Sequence, residues 1–574
     1  MCYNRSLPPK FLGDMPFWKG LLLIVPYASR TYLILATILP IFLIAPLFYP
    51  GYIETHIGYI PLWNIADLKA NIGNLFWQPH IVTNVSLFKS GGLLPYYIAA
   101  LLPVSPLTGF KLVIALGWVS GSVGMFLWLK SWFGESGALI AALVYCYLPY
   151  QIATVYVRGA WSESFFLGLL PGVILVSTYL VTSPKWKLLP FAATGWLALG
   201  LTHLGLTMWA LAFVTVLLIV VHPRQLFLPL ISMLTGTFMA TTISWLILTP
   251  TFTNNVIFAD HLLYPFQLLS AHWGNGASLS GWADGLPFQL GMISVGLTIL
   301  TVTMWQTQPV LPAEISRRDR RLIFFLIAGL FFIGLTLTVA RPFWQLPITG
   351  TLSSLFLTYP WQLLGFSGLC FAVISGAALW VEPQLSHLPL LASLILMIVL
   401  GSYAYLEPTF IPTNQIPSAP AGIIGNNELL LLEPTFTVKT TGDTAGLNTG
   451  ETTLPLVVHG DLVPQDTLYF NLIWQPLTNF EQNWKLFIHL VDSNDNVLAQ
   501  FDGYPQFVKD PNTESYLTSQ WIPGQQIADR YPLQLPSEMP PGPYRIYVGL
   551  YDETTFARLP VATDSNGRVI LAVE

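Results

Sequence analysis

Long runs of apolar residues, separated by short polar turns, fill the first 406 residues of the chain. A helix that crosses a bilayer needs about 20 predominantly apolar residues, and most of these runs reach or approach that length. The pattern predicts an α-helical polytopic membrane domain over residues 31–406. About eleven transmembrane helices are expected, at residues 32–49, 107–129, 137–156, 163–182, 188–203, 204–221, 227–248, 288–305, 322–340, 360–381 and 388–406. Residues 1–30 hold one apolar run that is too short to span, so a cytoplasmic or interfacial N-terminal segment is expected there.

A different pattern begins after residues 407–425, a stretch that holds four prolines. Prolines at this density predict an extended linker. Residues 426–574 then show short runs of alternating apolar and polar residues, such as Thr467–Trp474 and Tyr544–Tyr551, with turn signals between them. About eight short strands without a helical pattern predict an all-β antiparallel sandwich domain.

The composition of the chain supports this division. The 574 residues are 53% hydrophobic and only 9% charged, whereas a soluble domain carries about 25% charged residues. Residues 425–574 hold 18 acidic and 7 basic side chains, against 11 acidic and 17 basic ones in the preceding part. The two parts are therefore expected to lie in different environments.

Lysine and arginine residues predict the orientation, because cytoplasmic loops carry an excess of them. With the N-terminus in the cytoplasm, twelve basic residues fall inside and five outside. The inner residues are Arg5, Lys10, Lys19, Arg30, Lys130, Lys185, Lys187, Arg224, Arg317, Arg318, Arg320 and Arg321, and the outer ones are Lys69, Lys89, Lys111, Arg158 and Arg341. An odd number of spans then places the C-terminal domain and the long first loop, residues 50–92, on the extracytoplasmic side.

The middles of the predicted spans carry almost no ionisable residue. Proton- and ion-coupled transporters usually need such groups near the bilayer midplane, so the pattern argues against that class. The basic run Arg317–Arg321 is interpreted as a topology anchor and not as a nucleic-acid-binding patch. Chemistry is expected at the outer face, where the unusual polar residues collect.

Four outer segments hold the candidate functional residues. The first is the loop 50–92, with Glu54 and His56 near its start. The second runs from Tyr147 through Arg158 to Glu163, the third from His261 through His272 to Asp284, and the fourth from Trp344 to Trp361.

Together these segments resemble bacterial multi-pass proteins with the membrane domain named "6-pyruvoyl-tetrahydropterin synthase-related", which look like the GT-C superfamily of membrane glycosyltransferases. That family has an acidic residue, more often aspartate, and a histidine after the first span, matched here by Glu54 and His56. Its tyrosine-proline-tyrosine, arginine-glycine and glutamate are matched by Tyr147, Pro149, Tyr150, Arg158, Gly159 and Glu163. A late aromatic-proline-tryptophan motif normally continues with arginine, where this chain has Gln362. The resemblance covers about residues 30–405 and implies a GT-C-like fold for them.

The resemblance also implies roles for these residues, because GT-C enzymes use sugars linked to a polyprenyl phosphate. Glu54 would be the catalytic base for the acceptor hydroxyl, and His56 would orient either Glu54 or the phosphate. Arg158 would hold the lipid phosphate through bidentate contacts, and Glu163 would hold Arg158. The remaining candidates for substrate binding are His261, His272, Trp344 and Trp361.

Each of these residues also has a plainer interpretation. Glu54 would be a solvated loop acid, and Arg158 an interfacial residue whose guanidinium reaches towards water. Histidines such as His203 and His261 would cap helices or lie at the interface. The tryptophans would form an aromatic belt at the membrane surface.

The predicted function is transfer of a sugar from a polyprenyl-phosphate donor to a glycan or protein acceptor, at the outer face of the bacterial cytoplasmic membrane. The alternative is a non-catalytic scaffold or flippase partner in envelope polysaccharide assembly. Glu54 and His56 are too few ligands for a metal site, so no metal site is assigned, and a requirement for a divalent metal ion is left open. The expected partners are the lipid-linked sugar, its acceptor and the lipid bilayer, with no nucleic acid.

Overall fold

The fold is known from a computed structural model. It describes residues 27–55, 58–73, 92–221, 225–247, 258–270, 273–274, 278, 281–282, 284–307, 317–347, 349, 356–413, 416, 422–424, 429–431, 435–439, 452–455, 467–476, 480–505, 517–521, 527–540, 544–561, 564 and 566–573.

Helices dominate the first part of the chain, as its long apolar runs predict. The principal ones are α1 (Tyr27–Ile38), α2 (Ile60–Ala70), α3 (Leu93–Leu101), α4 (Pro106–Cys146), α5 (Pro149–Tyr156), α6 (Trp161–Thr182), α7 (Leu189–Thr202), α8 (Leu204–Val221), α9 (Phe227–Ile247), α10 (Met292–Thr307), α11 (Arg317–Thr336), α12 (Leu364–Val381) and α13 (Leu388–Gly401).

Among the described residues, seven helical segments are long and apolar enough to cross a membrane. They are Arg30–Phe48, Pro106–Cys146, Trp161–Thr182, Leu204–Val221, Phe227–Leu246, Pro360–Val381 and Leu388–Tyr405. The predicted spans at 188–203 and 288–305 correspond to α7 and α10, which have only 14 and 16 residues. The span at 322–340 corresponds to α11, whose first turns carry the arginine run. The number of eleven spans therefore stays a prediction.

The 41-residue helix α4 folds back on itself at Gly134. The sulfur of Cys146 lies 3.6 Å from the carbonyl oxygen of Trp118. In a straight helix these two residues would be about 42 Å apart, at 1.5 Å rise per residue. The chain reverses at Gly134 because its φ of 79° and ψ of −178° are accessible essentially only to glycine. The two arms correspond to the predicted spans 107–129 and 137–156, and the second arm is followed by α5.

The turn at Gly134 lies at the end of the helices where predicted cytoplasmic segments meet. The guanidinium of Arg321, at the start of α11, lies 4.3 Å over the ring of Trp132. Ser136 hydrogen-bonds at 2.8 Å to Ser386, in the turn between α12 and α13. Two helix connections and the start of α11 are thus gathered at one end.

The C-terminal part consists of antiparallel sheets, as its alternating pattern predicts. The described strands of the whole chain are β1 (Tyr52–Ile53), which lies in the first loop, and then β2 (Phe410–Ile411), β3 (Gly422–Ile424), β4 (Leu429–Leu431), β5 (Thr435–Lys439), β6 (Thr452–Pro455), β7 (Thr467–Pro476), β8 (Lys485–Val491), β9 (Val497–Gly503), β10 (Ile527–Gln534), β11 (Tyr544–Tyr551) and β12 (Val569–Val573). In one sheet β7 is central, with β4 and β5 along one edge and β10 along the other. The other sheet has the order β12-β11-β8-β9.

Buried side chains from these two sheets form one apolar cluster. Trp474 on β7 and Tyr531 on β10 come from the first sheet, and Ile488 on β8 and Val548 on β11 from the second. All four are at most 1% exposed. The hydrophobic effect therefore stabilises both sheets through a shared core.

Strand pairing ties the first loop to the start of the linker. β1 pairs antiparallel with β2, and the backbone N–H of Glu54 donates to the carbonyl oxygen of Thr409 at 2.9 Å. The prediction of a purely extended spacer at 407–425 is therefore incomplete, because its first residues form a strand with the loop that carries Glu54.

Lys111 holds the start of the same loop from within α4. Its Nζ donates to the carbonyl oxygens of Tyr49 at 2.9 Å and Gly51 at 2.7 Å, and the residue is only 6% exposed. Gly51 adopts a φ of 106°, and a Cβ there would lie 2.5 Å from the carbonyl oxygen of Ile411. The loop is thus wedged between α4 and β2, which only glycine permits at this position.

Candidate functional site

A buried ion pair joins Arg158 to Glu163. Gly159, with a φ of 66°, makes the tight turn between α5 and α6, so the guanidinium reaches the first turn of α6. Its Nη1 and Nη2 donate to Oε1 and Oε2 of Glu163 at 3.1 and 2.7 Å. The side chains are 11% and 3% exposed. This is the two-pronged geometry that makes arginine–carboxylate pairs strong.

Two more side chains donate to the carboxylate of Glu163. The hydroxyl of Tyr150, in α5, donates to Oε1, and Nε2 of Gln362 donates to Oε2 at 3.3 Å. The carbonyl oxygen of the Gln362 side chain accepts from the backbone N–H groups of Thr358 and Tyr359. A buried carboxylate is costly unless it is paired and hydrogen-bonded, and here it is both.

An aromatic pair covers the guanidinium. Arg158 lies 4.4 Å over the ring of Trp361, a distance at which a cation is attracted to the ring face. Trp361 in turn stacks on Tyr359, with ring centres 4.7 Å apart and planes 11° from parallel. The second and fourth outer segments therefore meet at the Arg158–Trp361 contact.

A second polar group meets the Trp361 ring at its Nε1. Oγ of Ser278 is 2.7 Å from Oδ2 of Asp284, 3.0 Å from Nδ1 of His261 and 3.2 Å from Nε1 of Trp361. The ring of His261 also meets that of Tyr359 edge-on at 4.9 Å. Burial lowers the pKa of His261, and the neighbouring Asp260 opposes that shift. This histidine therefore stays neutral at neutral pH.

Three of the four outer segments predicted from the sequence thus come together through direct side-chain contacts. His203 belongs to the same neighbourhood, because it interacts electrostatically with both Glu163 and Arg158. Its Nδ1 accepts from the backbone N–H of Leu206 at 3.2 Å and caps α8. For His203 the plainer interpretation, a helix cap, fits the contacts.

Glu54 lies outside this group of contacts. Its side chain is exposed, and its described hydrogen bond is the backbone one to Thr409. Two ring contacts nevertheless connect its strand to the start of α6. Tyr52 contacts Phe110 at 5.7 Å, and Phe110 contacts Trp161 at 5.2 Å. Glu54 is therefore at the same end of the helices as the ion pair, but no described side-chain contact joins it to Arg158 or Glu163.

The other predicted site residues divide into two groups. Trp361 belongs to the contacts around Arg158, whereas Trp344 packs on Phe258 at 5.2 Å and donates its Nε1 to the carbonyl oxygen of Leu335 at 2.8 Å. The described contacts of Trp344 are those of a packing residue. His56 and His272 lie outside the described residues.

The sequence alone did not single out Ser278 or the role of Gln362. Ser278 stands in a stretch rich in glycine and serine, where a hydroxyl is typical of turns. At Gln362 the sequence motif shows only a departure from arginine. The structure shows Gln362 hydrogen-bonded to Glu163, beside the guanidinium of Arg158. A second arginine at position 362 would repel that guanidinium.

Within the described part of the chain, no group of three or more His, Cys, Asp or Glu side chains is arranged to hold a metal ion. Neither a scan against models of known protein families nor a search of curated proteins found a match for this chain. The resemblance to the GT-C superfamily therefore remains an expectation that depends on the motifs.

Proposed function

We propose that this chain is an integral membrane glycosyltransferase that takes its sugar from a polyprenyl-phosphate donor at the outer face of a bacterial cytoplasmic membrane. In this proposal about eleven helices span the bilayer, and the two C-terminal sheets form an extracytoplasmic β-sandwich. The acceptor is a glycan or protein of the cell envelope.

The observation that carries the proposal is the buried Arg158–Glu163 pair, covered by Trp361. It places a cationic, anion-binding group at one end of apolar helices. A polyprenyl phosphate presents the complementary features, namely an anion and a hydrocarbon chain. Trp361 is 1% exposed and its ring contacts both Arg158 and Tyr359, so it holds the guanidinium in place.

Arg158 retains donors for a phosphate. A guanidinium has five N–H groups, and the contacts with Glu163 and with Oγ1 of Thr154 use three of them. The residue also keeps an 11% exposed edge. As the sugar is transferred, negative charge develops on the departing phosphate, and a fixed guanidinium stabilises that charge in the transition state.

The place where the chain leaves α13 supports the proposed assignment of the sheets to the outer face. The aromatic side chain of Tyr405, which follows α13, contacts Trp273 of the third outer segment at 4.7 Å. The hydroxyl of Ser402 donates to the carbonyl oxygen of Tyr147 at 3.0 Å. The chain therefore enters the linker at the end of the helices that holds the ion pair.

A transfer assay tests the proposal. The purified protein in liposomes is incubated with undecaprenyl-phosphate-linked glucose, mannose or N-acetylgalactosamine and an envelope extract that supplies acceptors. We expect release of undecaprenyl phosphate with at least one donor, coupled to labelling of the extract. Undecaprenyl phosphate bound without transfer would instead indicate the non-catalytic alternative.

A further inference from the structure

We propose that His261 accepts the proton of the acceptor hydroxyl, and that Ser278 and Asp284 hold its ring in the tautomer that can do so. This inference rests on the proposed function and deepens it by naming the base. In this proposal His261 replaces Glu54 as the base.

The hydroxyl of Ser278 uses its full hydrogen-bonding capacity. A serine hydroxyl has one proton to donate and two lone pairs that accept. Its Oγ has three partners, namely Asp284 at 2.7 Å, His261 at 3.0 Å and Trp361 at 3.2 Å. The one proton and the two lone pairs of the hydroxyl are therefore all used.

The direction of each bond follows from the chemistry of the partners. An ionised Asp284 can only accept, so Ser278 donates its single proton to it. The indole N–H of Trp361 can only donate, so Ser278 accepts from it. The remaining lone pair faces Nδ1 of His261, which must carry a proton to form the bond. His261 is thus the neutral Nδ1–H tautomer, and Nε2 keeps its lone pair.

Asp284 is itself fixed in place. Its other oxygen, Oδ1, accepts from the backbone N–H of Leu286 at 3.0 Å. The carboxylate therefore cannot rotate freely away from Ser278. Asp284 and Ser278 are positioning residues in this account, because they act on the tautomer of His261 and not on the substrate.

The location of His261 fits a proton acceptor for the proposed reaction. Trp361 connects the two polar groups, since its ring contacts Arg158 and its Nε1 contacts Ser278. His261 is 7% exposed, and no described hydrogen bond uses Nε2 of its ring. The charged groups nearest to it are Asp260, which is paired with Arg341 at 3.7 Å, and Asp284 through Ser278.

The proposed sugar transfer forms one bond and breaks one. The acceptor oxygen forms a bond to the anomeric carbon of the sugar, and the bond from that carbon to the phosphate oxygen breaks. The bonding electrons leave with the phosphate, beside Arg158. The acceptor proton moves to Nε2 of His261, and water then takes it from the imidazolium.

Histidine ¹⁵N resonances test the geometry without any assay of activity. The protein is labelled with ¹⁵N-histidine in liposomes, and His261→Gln identifies the signal of His261. We expect a protonated Nδ1 and an unprotonated Nε2 at pH 7.5, and loss of that preference in Ser278→Ala. A protonated Nε2 in the wild-type protein would overturn the proposal.

Kinetics test the role of the residue. General-base contributions are about 10² to 10⁴-fold, so His261→Asn should lower kcat by that range with little change in KM for the lipid donor. Asp284→Asn should lower kcat by a smaller factor, and the acidic limb of the wild-type pH profile should disappear in His261→Asn. Glu54→Gln should keep wild-type kcat.

The outcomes separate the two proposals. A wild-type protein that transfers sugar, together with an unimpaired His261→Asn, would remove His261 from the mechanism and leave the function standing. If Glu54→Gln alone loses activity, the base is Glu54. A wild-type protein that transfers sugar from none of the donors would remove both proposals.

Discussion

The guanidinium of Arg158 lies 4.4 Å over the ring of Trp361, a residue more than two hundred positions later in the chain. The contact joins the turn between α5 and α6 to the start of the apolar segment that contains α12. Arg158 also binds the carboxylate of Glu163, and Trp361 also donates to the hydroxyl of Ser278. The proposed function and the proposed proton acceptor both depend on this contact.

Removing the guanidinium of Arg158 should destabilise the protein. Arg158→Ala leaves Glu163 buried without its charged partner, and breaking a buried pair costs about 3–5 kcal/mol. Thermal unfolding in detergent should show a clear loss of stability, which the double variant Arg158→Met/Glu163→Gln should partly restore. Arg341→Ala is the control, because its pair with Asp260 is exposed and is expected to contribute less than about 1 kcal/mol. Equal losses in Arg158→Ala and Arg341→Ala would contradict this reading of the ion pair.

The chain reversal at Gly134 should depend on glycine. A Cβ at Gly134 would meet no neighbour, so the penalty of Gly134→Ala comes from its backbone conformation alone. Such a conformation costs a residue other than glycine about 1–3 kcal/mol. Gly296→Ala is a matched control, since its Cβ would also stand in open space but within the helix α10. Unfolding measurements should show destabilisation only for Gly134→Ala, and an unaffected variant would contradict the hairpin.

Lys111 should keep the start of the first loop in place. Lys111→Met removes both hydrogen bonds to the carbonyl oxygens of Tyr49 and Gly51. Each buried group left without a partner costs about 1–3 kcal/mol, so the loop should open. Hydrogen exchange at residues 49–54 should become faster in Lys111→Met and stay unchanged in Lys130→Met, at the far end of the first arm of α4. Unchanged exchange in Lys111→Met would mean that β2 alone holds the loop.

The proposed orientation can be tested with single cysteines. The natural residues Cys146 and Cys370 are buried, and Cys2→Ser removes the remaining one. A cysteine at the exposed Ser493 should react with a membrane-impermeant thiol reagent on intact cells, and one at the exposed Lys185 should react only after lysis. The reverse pattern would place the sheets and the ion pair on the cytoplasmic side.

The helices could be predicted because membrane-crossing segments are long and apolar on most faces. The end of one predicted span at 129 and the start of the next at 137 bracket Gly134, where the chain reverses. The gathering of Arg158, His261 and Trp361 at one end also follows from alternating spans. These features depend on local composition, which the sequence displays directly.

The pairing of the Glu54 backbone and the role of Ser278 depend on contacts between distant positions. Nothing near Glu54 indicates that its backbone pairs with Thr409, more than three hundred positions later in the chain. Ser278 carries no local signal, because its importance comes from Asp284 and His261 converging on it. Such convergence is a property of the folded chain.

The most direct test of the central claim compares sugar transfer by membranes that contain the wild-type protein, Arg158→Lys or Arg341→Lys. Lysine keeps the charge but loses the two-pronged geometry, and a hydrogen bond to a charged group is worth about 1.5–3 kcal/mol. Transfer of labelled sugar from undecaprenyl phosphate should therefore fall about 10- to 100-fold in Arg158→Lys, with weaker binding of undecaprenyl phosphate. It should stay at the wild-type rate in Arg341→Lys. Equal transfer by all three proteins, or no transfer by the wild-type protein with any donor, would contradict the account.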